Sequence, residues 1–291
     1  MKLLTKFNLI LGLVFVAGLA IAGAVSHRFL QQQAREQVLE QARLMRAAMM
    51  SVRSYTTRQV GPLLATQQEH QRSFLAQTVP AYAATENFNY LRTSYPDYAY
   101  KEATLNPTNP RDRAVDWETD IISNFRNHPG QKELVGERDT PTGRSLYLAS
   151  PIVAGPPCLQ CHSTPGAAPL GQILHYGGSN GFGWNAGETV GAQIVSVPMA
   201  VPEAMAAQAF QALLVDMAAV FLCSLAVLDL ALLLTVVRPL GKLSQMADEI
   251  SVGKMDMPEL PVKGKDEIAV LAGSFNRMRR SLERAIKMLE G

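Results

Sequence analysis

The chain has 291 residues, enough for one to three domains at roughly 100–200 residues each. It is 47% hydrophobic and 18% charged, against about 25% charged in soluble domains, which points to lipid-facing segments but too few for a polytopic transporter. A formal charge of +2 excludes the basic excess of a nucleic-acid binder, and three cysteines are too few for a disulfide scaffold.

Phe7–Ser26 carries no charge over about 20 residues, the length that crosses a hydrocarbon core about 30 Å thick. Lys2 and Lys6 precede it. Ala22-Gly23-Ala24 resembles a signal-peptide cleavage site, so a cleaved leader competes with an uncleaved anchor. The anchor is the expectation, because a second span later in the chain asks for a partner. On either reading the segment that follows is exported.

Leu30–Val60 is predicted as one long helix leaving the span and ending at Gly61-Pro62. Val38, Ala42, Met45, Met49 and Val52 recur at steps of 4, 3, 4 and 3 and form a helix-packing stripe. Arg46, Met50 and Arg53 share a different face. Ser73–Asn89 predicts a second helix, Asn106–Pro110 a rigid loop, and Arg113–Phe125 a return to helical periodicity. Leu134–Glu137 and Ser145–Ala149 are predicted strands around a Pro141-Thr142-Gly143 turn, and Val190–Val197 is a third. Helices followed by short antiparallel strands predict an α+β, sensor-like domain.

Cys158-Leu159-Gln160-Cys161-His162 has the c-type haem attachment spacing C-x-x-C-H. Each thiol can add to one haem vinyl group, and the adjacent imidazole reaches the iron as proximal ligand. A zinc site would need a second ligand pair, and no other cysteine is exported. A thioredoxin-like pair would want a helix N-terminus, whereas the flanking Gly155-Pro156-Pro157 and Ser163-Thr164-Pro165-Gly166 predict a loop. A plain disulfide leaves His162 unexplained. One covalent haem c is therefore expected, with Cys158, Cys161 and His162 holding it.

The sixth iron ligand has several candidates. His27, His70, His128 and His175 are the exported histidines, with His175 the favoured one. Met50 lies between Arg46 and Arg53, so its thioether could meet the iron while the guanidiniums pair the haem propionates. Met49 falls on the packing stripe, and a vacant sixth site stays open. Phe182 and Trp184, in the Gly-rich stretch 177–187, could wall a haem pocket or simply be core.

Leu213–Val237 is the second span, followed at once by Arg238 and Lys242. Basic residues outside both spans place both termini in the cytoplasm by the positive-inside rule. Asp216 and Asp229 interrupt the span. Asp229 is a functional candidate or a polar contact between helices, and Cys223 a small buried apolar residue. Beyond Arg238, Leu240, Leu243, Ala247 and Ile250 form one heptad stripe and Ile268, Leu271, Phe275, Met278 and Leu282 another. Two such helices joined by a linker predict a parallel four-helix bundle, which requires a homodimer.

Two resemblances follow. YPDYAYKEATLNPTNPRDRAVDWE, CLQCH and NGFGWNAGETVGAQIVSVP resemble the exported c-type-haem sensor domain with a PAS-like core, over about Met45 to Val201. That likeness implies haem on Cys158 and Cys161 with His162 proximal, and a distal ligand from the N-terminal helix, where a Cys can serve. This chain has no Cys there, so Met50 or Met49 would substitute. The tail resembles a HAMP domain through Pro239-Leu240, Asp266-Glu267-Ile268 and Ser274-Phe275-Asn276-Arg277-Met278, which implies relay of conformational change to an output.

The organisation expected is a cytoplasmic N-terminus (1–6), a first span (7–26), a periplasmic haem domain (27–212), a second span (213–237) and a cytoplasmic HAMP domain (238–291). The function expected is that of a two-pass sensor in a bacterial inner membrane, not an enzyme. It would detect redox state or a small gaseous ligand and signal to a separate cytoplasmic kinase or other output protein. The alternative is a membrane-anchored cytochrome that only transfers electrons.

Overall fold

The computed structural model describes residues 3–65, 73–254, 256–262 and 264–290. Lys2 and His70 lie outside them. By contacts the chain divides into a unit of residues 27–209 and a unit of residues 1–26 with 210–291.

The first of these is built on a four-stranded antiparallel sheet of order β1-β4-β3-β2. The strands are β1 (Ala99–Thr104), β2 (Leu134–Thr140), β3 (Gly143–Val153) and β4 (Thr189–Pro198). β4 is central and reads as a nearly continuous buried run, as a strand covered on both faces should. One face packs under the 53-residue helix α1 (Leu3–Tyr55) and under α3 (Pro80–Arg92). Its core is Val38, Ala42 and Met49 from α1, Phe88 from α3, and Tyr100, Leu148, Val195 and Val197 from the sheet. The stripe predicted on α1 is thus a packing seam, Met49 included. The other face packs under α4 (Asp116–Asn127) through Ile121, Ile122 and Phe125. Strand alternation sends Val195 to the first face and Ile194 to the second.

Three local expectations need correcting. The helix does not end at Gly61-Pro62. A π turn, Thr56–Val60, leads into a short helix α2 (Gly61–Ala65). Pro62 has no N–H and crowds the carbonyl four residues back. The wider turn, in which Gly61 N–H donates to the Thr56 carbonyl, takes up the misfit without stopping the chain. In the 73–89 stretch, Pro80 divides a 3-10 turn (Ala76–Thr78) from α3, because proline is accommodated in a first helical turn. Helix α4 begins at Asp116 instead of Arg113, where the Glu118 carboxylate accepts the Val115 N–H at 3.0 Å.

The second unit contains the apolar stretches of two helices long and apolar enough to cross a membrane, by length and composition. The second is α7 (Ala200–Leu232), a π turn (Leu233–Val237) and α8 (Arg238–Ser251). Phe15 stacks on Phe221 with centroids 3.6 Å apart, and Asn8 donates to Asp229 at 2.9 Å. A Cβ on Gly23 would lie 3.8 Å from Leu214. These pairs run in opposite directions along the chain, so the two spans pack antiparallel, and Asp229 is a polar contact between them. The tail adds α9 (Glu267–Glu290), which packs on α8 through Ile250, Ala272 and Phe275. Asn276 clamps the linker by accepting the Leu260 N–H at 3.0 Å and donating to the Leu260 carbonyl at 2.9 Å. Leu271, Met278 and Leu282 keep apolar surface exposed.

Candidate functional site

The C-x-x-C-H motif is not in a loop. Pro156–His162 forms a short helix, α5, with the two prolines in its first turn. Cys158 and Cys161 are three residues apart on it and share a face, and both thiols are free. The loop argument against a thioredoxin-like pair therefore fails. Burial, and then the neighbouring Cys158, push the Cys161 thiol up.

His162 closes the helix and is held from several directions. Its Nδ1 donates to the Gly181 carbonyl at 2.7 Å, with the Thr108 hydroxyl 3.4 Å away. A carbonyl only accepts, so Nδ1 carries the hydrogen and Nε2 keeps the lone pair. Trp184 stacks on the ring at 4.0 Å and 9°. Burial pushes the imidazole below its usual range, opposed by the Gly181 bond, so the neutral, metal-ligating form is favoured.

The Gly-rich stretch makes this possible. Gly183 N–H donates to the Ser163 carbonyl and Trp184 N–H to that of His162. Gly181 has φ +84°, and a Cβ there would overlap Thr108. Only glycine lets the two loops approach so closely. Gln172, on α6 (Leu170–Tyr176), donates to the Cys161 carbonyl at 3.1 Å.

This arrangement suits a covalently held haem. Two thiols lie on one helix face, and the next residue's imidazole has Nδ1 tied to a carbonyl and Nε2 available. His175 stands apart on α6, exposed, with Phe74 stacked at 5.5 Å and Tyr176 edge-on at 4.5 Å. His128 turns back to the Asn124 carbonyl at 2.9 Å.

Arg46, Met50 and Arg53 do share a face of α1, and it lies on the sheet. Glu102, Gln193 and Ser150 are cross-strand neighbours on β1, β4 and β3 and form a buried polar row on that side. Arg53 pairs with Glu102, Met50 Sδ accepts from Gln193 Nε2 at 3.2 Å, and Arg46 donates to Ser150 Oγ. Arg46 also lies 3.9 Å from Glu133. Tyr100 donates to Glu102 at 2.7 Å. No sequence signal marks this row, because each member looks like an ordinary strand residue until the pairing is known.

Residues 31–198 match the profile of the Tll0287-like family, more than half of the chain. The chain belongs to the Tll0287-like family. Its Tll0287-like domain is followed by a HAMP domain over residues 231–284. A crystal structure of the cyanobacterial haem protein Tll0287 covers 55% of this chain and 94% of its own, at 12% identity and a TM-score of 0.44. The methyl-accepting chemotaxis protein CtpM of Pseudomonas aeruginosa is 34% identical over 103 residues, 35% of this chain. The match spans 18% of that relative's length.

Proposed function

We propose that this chain is a membrane-bound c-type haem sensor that relays redox state or binding of a small gas through its HAMP domain to a separate cytoplasmic protein. One observation carries the reading. Two free thiols share one face of α5, and the imidazole that follows them is fixed by the Gly181 carbonyl with Nε2 left as its ligating atom. A haem held there supplies an iron that can change charge or take a gas. Cys158 and Cys161 anchor it, His162 presents Nε2, and Trp184 and Thr108 hold the ring.

Met50 is our proposed sixth ligand. Its thioether would then exchange the Gln193 hydrogen bond for the metal, while Arg46 and Arg53 turn from Ser150 and Glu102 toward propionates. The ligand would thus sit on α1, the helix that carries the first apolar stretch. A shift of that helix is a route toward the HAMP domain. The boundaries we propose are spans at 7–26 and 213–237, with 27–212 in the periplasm of a bacterial inner-membrane protein and 1–6 and 238–291 in the cytoplasm. The HAMP match and the chemotaxis relative favour signalling over catalysis, a homodimer, and a kinase or similar partner. They also speak against a plain electron carrier, which needs no relay.

The test is crosslinking in membranes. Single cysteines replace Leu271 or Met278, both exposed on α9, in a Cys223→Ser background. Phe275, on the predicted seam, is buried within its own chain and unsuitable. A coupling of about 1–3 kcal/mol changes a population ratio roughly 5- to 150-fold. Dimer crosslinks should therefore differ between oxidised, reduced and CO-treated membranes. They should cease to respond when Cys158→Ala and Cys161→Ala remove haem staining on a denaturing gel. Strong crosslinks identical in all states would favour the electron carrier, and undiminished staining would refute the attachment site.

A further inference from the structure

The loop that presents the Gly181 carbonyl to His162 does not stand by itself. Asn106 reaches it from 75 residues away. Its Oδ1 accepts the Gly181 N–H at 3.2 Å, and its Nδ2 donates to the Phe182 carbonyl at 3.4 Å. The carbonyl that accepts from His162 lies on the peptide unit between those two contacts. A side chain with both a donor and an acceptor is needed to grip both ends of that unit, and asparagine supplies them on one short stem. Asn106 itself sits in the Asn106–Pro110 loop, where Pro107 and Pro110 restrict the backbone. Thr108 of the same loop lies against Gly181 and reaches His162 Nδ1 at 3.4 Å.

From this geometry we infer that Asn106 is a positioning residue for His162. It holds the Gly181 carbonyl where Nδ1–H must donate to it, and so sets the donor strength of Nε2 toward a bound iron. The inference rests on the haem reading above. An outer partner that accepts from the ring N–H fixes the tautomer and raises the basicity of the ligating nitrogen. A more basic nitrogen favours the ferric over the ferrous state. Releasing the carbonyl should therefore make the iron easier to reduce.

The experiment is a spectroelectrochemical titration of the full-length, haem-loaded protein in detergent, comparing the parent with Asn106→Ala and Asn106→Gln. Haem staining on a denaturing gel and far-UV circular dichroism are followed alongside. In Asn106→Ala, staining and dichroism should be unchanged. The ferric-to-ferrous ratio at the parent's midpoint should fall about tenfold, a rise of roughly 59 mV for a one-electron couple. Asn106→Gln keeps the amide and should recover much of the parent value. If Asn106→Ala does not fold, Asn106→Ser is read in its place, since its hydroxyl is too short to grip both ends. A midpoint within twofold of the parent, with folding and staining intact, overturns the inference. So does loss of the fold in both variants, which would make Asn106 merely structural. Failure of the parent itself to stain for haem overturns the underlying reading instead.

Discussion

His162 and the Arg46–Met50–Arg53 face of α1 were both expected to meet an iron, and the structure holds them by opposite means. His162 is fixed by backbone: the Gly181 carbonyl, and a strip in which Gly183 and Trp184 bond to residues 162–163. The α1 face is fixed by side chains laid on a buried polar row, Glu102, Gln193 and Ser150. Backbone contacts leave little freedom to rearrange. Side-chain contacts can be exchanged by rotation of the side chains alone, at a cost that rises where a partner is buried, as Glu102 is. The His162 side is thus fixed by the chain itself, and the α1 face by contacts that side-chain rotation can undo.

Removing the centre of the polar row should have the largest effect. Glu102 is 7% exposed at its side chain and receives both Arg53 and the Tyr100 hydroxyl. Breaking a buried pair from one side costs about 3–5 kcal/mol. Arg53 is 25% exposed and can find water, so Glu102→Ala should destabilise by about 3 kcal/mol and Glu102→Gln by less. Denaturant unfolding of the detergent-solubilised chain, followed by tryptophan fluorescence, measures this. A loss under about 1 kcal/mol would mean that α1 is held by its apolar seam alone.

A smaller effect is expected from Asp112, on the 3-10 turn (Pro110–Asp112) that follows the Asn106 loop. Burial pushes its carboxyl up to about 6, opposed by Arg111. A carboxyl raised in the folded state binds its proton more tightly folded than unfolded. Stability is therefore greatest below the unfolded value and falls as pH rises through about 6. Asp112→Asn removes that loss. It should be more stable than the parent by roughly 2 kcal/mol at about pH 7.5, less than the about 3 kcal/mol that about 1.4 kcal/mol per tenfold would give, because the side chain is 22% exposed and partly screened, with the difference gone below about pH 4. Unfolding midpoints across that range check it, and a constant difference would show that Asp112 stays paired with Arg111 at every pH.

How much of this was legible follows the same division. C-x-x-C-H is contiguous, so the motif could be read directly, though the short helix that carries it could not. The stripe from Val38 to Val52 is periodic, and all of it lands in or against one core cluster. Strands β2, β3 and β4 were found by alternation and turn residues, with ends extended by up to four residues in the fold, whereas β1 was missed. What could not be read depends on pairing between distant segments. Asn106 reads as one more turn residue until Gly181 is brought to it, and Ser150, Gln193 and Glu102 are neighbours only in the sheet register. Proline misled at Gly61-Pro62, where the helix was expected to stop. Thr56–Val60 before Pro62 and Leu233–Val237 before Pro239 are the same π turn, each closed by an N–H donating five residues back. Both helices continue, because the wide turn makes room for the ring.

The smallest change in stability should come from Met50, and it tests the comparison most directly. Met50 is 41% exposed, and the bond it makes is the weak one from Gln193 to its sulfur. Met50→Leu nearly conserves volume, a swap that usually costs under about 1.5 kcal/mol, and at this exposure it should cost less. If Met50 is the sixth ligand, this nearly silent substitution should still change the reduced haem spectrum from six-coordinate to five-coordinate. CO should then bind faster, because no internal ligand has to leave first. His162, by contrast, tolerates no such substitution, since its ring is gripped by Gly181, Thr108 and Trp184 together. A Met50→Leu protein with parental spectra and CO kinetics would place the moving ligand elsewhere, and α1 would then transmit only what the Arg46 and Arg53 contacts carry.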